Sequence, residues 1–334
     1  MSFGTTSSSH SAGGVAGGRH GAAVHSGWYR REEAIMGTAI VCELWSDDIA
    51  LAEAGLRAVM EEMHRIDRAM SPHKPESELS RINREAGTRA FELSDEMFTL
   101  LQRAIQLSKI SNGAFDITYA GAGQLYDYRE RVRPSDAALA QACASIGYQH
   151  LMLDAQQRSV RFGLPGMRID LGGFAKGHAV DRGAAILRRM GIANAIVTAG
   201  GDSHVLGDRR GRPWTVAIRD PRRAGEVVAV LPLEDVAIST SGDYERFFDD
   251  GGERFHHVID PRTGKSPSSV HSVTILADDG LTTEGLSKSV FVMGVTEGLR
   301  LVESQPGVDA VVVDAQGVLH YSSGLQSGAA QTRQ

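Results

Sequence analysis

Apolar residues recur along this chain with two different periods. Between residues 49 and 70 they fall at Ile49, Leu51, Leu56, Val59, Met60, Met63 and Ile66. That is the three-to-four spacing of one buried helix face, and Asp48 stands where an N-cap belongs. Ser94, followed by Asp95 and Glu96, opens a second such pattern that runs to about Ser111. Shorter helices are predicted at 79–83, from Ser135 through 144, from 174 to 189 with Gly191 as its stop, from Thr282 or Thr283 through 291, and at 296–303. Short apolar runs rich in Val, Ile and Trp predict strands at 36–45, 195–198, 214–219, 227–231, 236–240 and 270–276. Hairpins are predicted for 151–153 with 160–162, and for 309–313 with 318–321. The runs 244–248 and 254–259 flank a turn at 249–252. Strands and helices intermix without strict alternation, so the expected class is α+β: mixed, mostly antiparallel sheets with packed helices.

Polar patterning also marks the ends. Residues 1–27 are mostly Ser, Gly, Ala and His, including His10, His20 and His25, with too little apolar surface to offset ordering entropy. They are expected to be disordered, as is the tail 325–334.

One stretch concentrates candidate chemistry: MRIDLGGFAKGHAVD, from Met167 to Asp181. Gly172 and Gly173 have no Cβ, so backbone can approach a bulky ligand there. A helix starts beside them, and Lys176 lies in its first turn, where a cation is disfavoured unless an anion is bound. These residues fit a phosphate site or an ordinary strand–turn–helix with a Gly-rich corner. The dinucleotide fingerprint G-x-G-x-x-G is absent. Further small, polar corners lie at 71–73, 113–116, 239–242 (STSG), 256–260 and 283–288. STSG reads equally as a turn with self-satisfied hydroxyls. In the pair His256–His257, one ring is expected to face the interior or a ligand and the other the opposite side.

Composition narrows the classes. The chain has 334 residues, 42% hydrophobic, with a net charge of −6, which disfavours a nucleic-acid surface. Its two cysteines, Cys42 and Cys143, form no C-x-x-C and are expected to be buried small hydrophobes, which excludes a Cys-rich zinc site. No apolar run reaches membrane-spanning length.

Several motifs in order then resemble one family. They are MGT (36–38), SELSRIN (77–83), NGAFDIT (112–118), DLGGFAKGHAVD (170–181), AGGD (199–202), W-x-V-x-I-x-D-P (214–221), STSG-x-Y (239–244), HHVIDPRTG (256–264) and LSKSVFVMG (286–294). In this set the chain resembles the ApbE-type FAD:protein FMN transferases. The resemblance implies a single two-lobed, T-fold-like domain over 28–324. It implies FAD in a cleft lined by Met36, His73, Ala114, Phe115, Asp116, Asp170 and Lys176. It implies His257 as the base that takes the proton of a Thr or Ser hydroxyl on a partner flavoprotein, itself a redox or electron-transfer protein. FMN would be joined to that partner as a phosphoester and AMP released. A divalent metal, usually Mg²⁺, would bridge the phosphates, with the Gly173 carbonyl and residue 284 among its ligands. Two alternatives stand beside this: an FAD-binding protein without transfer, and an FAD pyrophosphatase. No signal segment is visible, which suggests the cytoplasm, whereas the family commonly works in the periplasm or at a membrane.

The chain departs from the family pattern at three places. The metal helix usually carries an Asp and, one turn later, a Thr; here the positions hold Glu284 and Lys288. Glu can ligate a hard cation, but an ammonium has no lone pair to give. Spaced i, i+4, the two can pair with each other, and Lys288 can replace part of the metal's charge. The alternative is a lost metal site with weak or no transfer. His73 stands where a Tyr often stacks on the flavin, and YAGA (119–122) replaces V-G-P-L. Tyr119, Tyr126 and Tyr128 are candidates for the missing ring.

Overall fold

In the computed structural model, residues 26–223 and 225–329 are described; the first 25 residues, with His10, His20 and His25, and residues 330–334 lie outside them. The chain opens with a hairpin of β1 (Gly27–Ile35) and β2 (Thr38–Ser46). Met36 and Gly37 form its two-residue turn, at φ 56° and 70°, the left-handed pair such a loop requires. The strand expected at 36–45 therefore starts two residues later, and a strand precedes it. β1 escaped the pattern because it carries Arg30, Arg31, Glu32 and Glu33, the charged, exposed dress of an edge strand.

The helices follow the apolar spacing closely. α1 (Ile49–Met70) is capped by Asp48, whose carboxylate accepts from Ala50 N at 2.8 Å. α2 (Glu78–Glu85) is capped by Ser77, and α3 (Asp95–Ile110) by Ser94. β3 (Phe91–Glu92) lies between them. A 3₁₀ turn (Ile117–Tyr119), the short α4 (Ala120–Gly123) and α5 (Asp136–Cys143) lead to the hairpin of β4 (Leu151–Asp154) and β5 (Ser159–Phe162). α6 (Ala175–Arg189) ends at Gly191, φ 80°. Then come β6 (Ala195–Ala199), β7 (Asp202–Leu206), β8 (Trp214–Arg219), β9 (Val227–Leu233), β10 (Ala237–Gly242), β11 (Phe247–Asp250), β12 (Glu253–His256) and β13 (Val270–Ala277). α7 (Gly280–Glu303), β14 (Asp309–Asp314), β15 (Leu319–Tyr321) and α8 (Ser323–Ala329) complete the chain.

The main sheet has eight strands in the order β1-β2-β6-β7-β10-β13-β14-β15, every neighbouring pair antiparallel. α1, α6 and α7 pack on one face over the main core, and the β8–β9 hairpin covers the other, with Trp214 and Leu231 against Val205, Ile238 and Val311. A small separate cluster joins Tyr126, Leu139, Phe248, Phe255 and Ile259. Cys42 is fully buried, and burial pushes its thiol up to about 12; Cys143 is only half-buried. No helix among the described residues is long and apolar enough to cross a membrane.

Local expectations change at several points. STSG forms the last four residues of a strand, β10, which extends the strand expected at 236–240 and replaces the alternative of a turn. β7 continues directly from the AGGD corner, a strand hidden by its polar residues Asp202, Ser203 and His204. The cap of α7 is Asp279, which accepts from Thr282 N at 2.8 Å, so Thr282 and Thr283 lie inside the helix. Gly294, at φ 79° and ψ 179°, breaks α7 where two helices were expected to meet. α8 occupies the start of the segment expected to be disordered, because Leu325 packs against the hairpin-side core.

Candidate active site

The α6 N-terminus is where the Gly pair meets α7. Met167, Ile169 and Leu171 are buried and Arg168 is exposed, without the run being a strand. Asn83 takes a strand partner's place, donating from Nδ2 to the Ile169 carbonyl at 2.9 Å and accepting from Ile169 N at 2.8 Å. Asp170 N donates to the Ile117 carbonyl at 2.9 Å, and its carboxylate accepts from Gly172 N at 2.6 Å. α6 then crosses α7 at two glycines. A Cβ on Gly177 would lie 2.1 Å from the Gly280 carbonyl oxygen, so neither position tolerates a side chain.

That crossing brings together four charges. Glu284, fully buried, accepts from Lys176 Nζ at 2.6 Å and Lys288 Nζ at 3.2 Å on Oε1, and from Gly177 N at 2.7 Å on Oε2. Lys176 also donates to Asp202, itself buried. Ser239 donates to the other oxygen of Asp202. β-strand alternation puts Ser239 and Ser241 on one face, and both reach Ser287 Oγ on α7, at 3.3 and 2.9 Å. The anion that Lys176 required at the helix N-terminus is thus supplied by the protein. Burial works against the Lys176 ammonium, but Asp202 and Glu284 outweigh it and hold it above its usual range. Burial pulls Lys288 below its usual range against the pull of Glu284.

His257 stands beside this quartet. Burial first, then the charges of Lys288, His256, Arg246 and Lys176, push its imidazole down to about 3. Its Nδ1 is buried and has no hydrogen-bond partner among the described residues. Its backbone N–H donates to the Arg246 carbonyl at 3.1 Å, and Arg246 reaches the Met36–Gly37 turn. His256 faces the core, edge-on to Phe291 at 5.3 Å, with Nε2 donating to the Pro267 carbonyl at 2.8 Å. Asp170 meets the Tyr119 phenol; the charge of Asp170, then burial, holds that phenol well above its ordinary range.

A family model described as the ApbE family matches residues 36–312. The chain belongs to the ApbE family. It is 38% identical over 266 residues to the FAD:protein FMN transferase of Rhodobacter capsulatus, covering 78% of this chain and 50% of that protein. It is 34% identical over 250 residues to the Haemophilus influenzae protein of the same name, covering 71% and 72%. The chain thus spans half the length of the first relative. The ApbE protein of Thermotoga maritima superposes with a TM-score of 0.84 at 31% identity, over 90% of this chain and 99% of that one. The flavin transferase ApbE of Vibrio cholerae gives 0.81 at 28%, over the same shares.

Of the residues expected from the ApbE resemblance, Asp170, Gly173, Lys176, Glu284 and His257 converge, and Met36 joins them through Gly37 and Arg246. Four do not converge in the same way. Ala114 and Phe115 are core residues, Phe115 tilted on Phe174 with ring centroids 5.4 Å apart. Both Asp116 oxygens serve the loop, accepting from Thr118 N and Tyr148 N at 2.8 Å each. His73 is exposed on the loop between α1 and α2, and no hydrogen bond or ion pair of its ring is found among the described residues. Among the candidate tyrosines, Tyr126 and Tyr128 stack on each other at 5.8 Å and bond the Gly264 and His256 carbonyls, which leaves Tyr119 at the site. Asp202, Ser239, Ser287 and Arg246 were given no role from the sequence, although Ser239 and Ser287 lie in the polar corners 239–242 and 283–288. The only sequence signal for the first two was membership of the AGGD and STSG motifs.

The Mg²⁺ site that the ApbE resemblance implies is not matched by these donors. Glu284 has both oxygens engaged, one of them by two ammonium groups. No group of three or more His, Cys, Asp or Glu residues at metal spacing occurs among the described residues. A divalent ion about 4 Å from an ammonium is opposed by roughly 8 kcal/mol at an effective dielectric near 20.

Proposed function

We propose that this protein transfers FMN from FAD to a side-chain hydroxyl of a partner flavoprotein. The observation that carries the reading is His257, a histidine kept neutral by burial and by neighbouring lysines, beside a helix N-terminus furnished with those lysines. A neutral imidazole can accept the proton of a Thr or Ser hydroxyl. The hydroxyl oxygen forms a bond to the phosphorus on the riboflavin side of the pyrophosphate. The bond from that phosphorus to the bridging oxygen breaks, and AMP leaves with that oxygen. Lys176 and Lys288 offset the charge on the pyrophosphate and on the departing AMP, the positioning and neutralisation on which phosphoryl transfer depends. Tyr119, tethered by Asp170, offers an aromatic edge to the flavin.

A second reading, FAD binding without transfer, is favoured by one observation: among the described residues, no carboxylate bonds the Nδ1 of His257. Incubation with FAD and a flavinylation acceptor, read by intact mass, separates the two. Transfer adds one FMN to the acceptor, and His257→Ala lowers its rate by roughly 10²–10⁴-fold, the usual contribution of a general base. FAD retained with no mass gain on the acceptor establishes the binding reading.

A further inference from the structure

The ApbE resemblance asks for a divalent cation where this chain holds an ammonium. We propose that Lys288 permanently supplies the positive charge that a metal would bring to the FAD pyrophosphate, so that this protein binds its flavin donor without a divalent ion. This rests on the flavin reading above.

Charge balance is the first argument. Without Lys288, the pocket sets the single cation of Lys176 against the two carboxylates of Asp202 and Glu284. Such a pocket is net negative and repels a pyrophosphate unless a metal enters. Lys288 brings these four paired groups to neutrality. The second argument is placement. A Cβ on Gly173 would meet Lys288 Cε at 3.3 Å, so the lysine stem lies against Gly173, the residue whose carbonyl the resemblance assigns to the metal. The Lys288 side chain is 17% exposed and that of Lys176 24%, so both retain a face toward solvent. The third argument is donor count. An ammonium has three N–H donors, and that of Lys288 spends one on Glu284, at 3.2 Å. Among the described residues the other two have no partner, which leaves them to phosphate oxygens. The position is held firmly, because α7 is anchored near its start by Asp181, which accepts from Gly280 N at 2.7 Å, and by the Gly177–Gly280 crossing.

The test is equilibrium FAD binding, followed by flavin fluorescence, for the unaltered protein and for Lys288→Met, each in EDTA and in Mg²⁺. Met keeps the stem over Gly173 and removes the charge. The unaltered protein is expected to bind FAD equally in EDTA and in Mg²⁺, and Lys288→Met to bind at least tenfold more weakly in EDTA. Binding by the unaltered protein that is lost in EDTA and restored by Mg²⁺ overturns the proposal. So does undiminished binding by Lys288→Met in EDTA. The unaltered protein alone decides the first point, should the variant fail to fold. Absence of FAD binding in both buffers instead overturns the flavin reading itself.

Discussion

α6 and α7 meet at their N-termini, and each end is capped by an acid of the other helix. Asp181 of α6 accepts from Gly280 N and Leu281 N of α7. Glu284 of α7 accepts from Gly177 N of α6. The device is the same, a carboxylate on unsatisfied helix N–H groups. The surroundings differ. Asp181 pairs further with His204, at 2.7 Å, and α7 has its own cap in Asp279 besides. Phe174, the N-cap residue of α6, makes no side-chain cap bond, and Glu284 is shared with two lysines beside His257. A helix end with two caps is a structural joint. A helix end whose single cap also holds cations can exchange part of its bonding with an incoming anion.

Three substitutions or titrations break or sharpen this contrast. Glu284→Gln has the largest effect, because it leaves two ammonium groups facing an amide in a buried site. Breaking a buried pair in this way costs about 3–5 kcal/mol. Chemical denaturation should show that loss, and FAD binding should change with it. Asp181→Ala should cost about 1–2 kcal/mol, the value of a cap, with Asp279 still in place. If Asp181→Ala disturbs FAD affinity as strongly as Glu284→Gln, the two ends are not functionally distinct. The smallest effect is one of shape. Because His257 sits at about 3, the imidazole is neutral at pH 7 and stays so as pH falls through 6.5. The FMN-transfer rate should therefore show no histidine limb near 6.5 on the acid side. Lys288→Met removes a cation that depresses His257, so the acid limb should move upward, toward 6.5. A limb at 6.5 in the unaltered protein would place His257 in a solvated, uncharged setting and remove it from this pocket.

Legibility in the sequence followed the range over which a signal acts. Asp48, Ser94 and Ser135 were readable as caps, because a cap bonds two or three residues ahead, whereas Ser77 was read as part of a loop. β1 and β7 were missed because Arg30 to Glu33 and Asp202 to His204 interrupt the apolar alternation. β10 was half read, since its serines look like turn residues until α7 is laid against them. The roles of Phe115 and Asp116 also depend on distant partners, Phe174 for the ring and Tyr148 for one carboxylate oxygen.

By itself the sequence determined which segments are amphipathic helices, that the chain carries ApbE motifs in order, and that a lysine stands one turn after an acid at 284. Tertiary structure decided which charge meets which. Lys176 reaches Asp202 across 26 residues and Glu284 across 108. Helix spacing and caps are local properties, set within about four residues by backbone geometry. The partner of a buried charge is set by sheet order and by the glycine crossing of α6 and α7, which only the folded chain brings about.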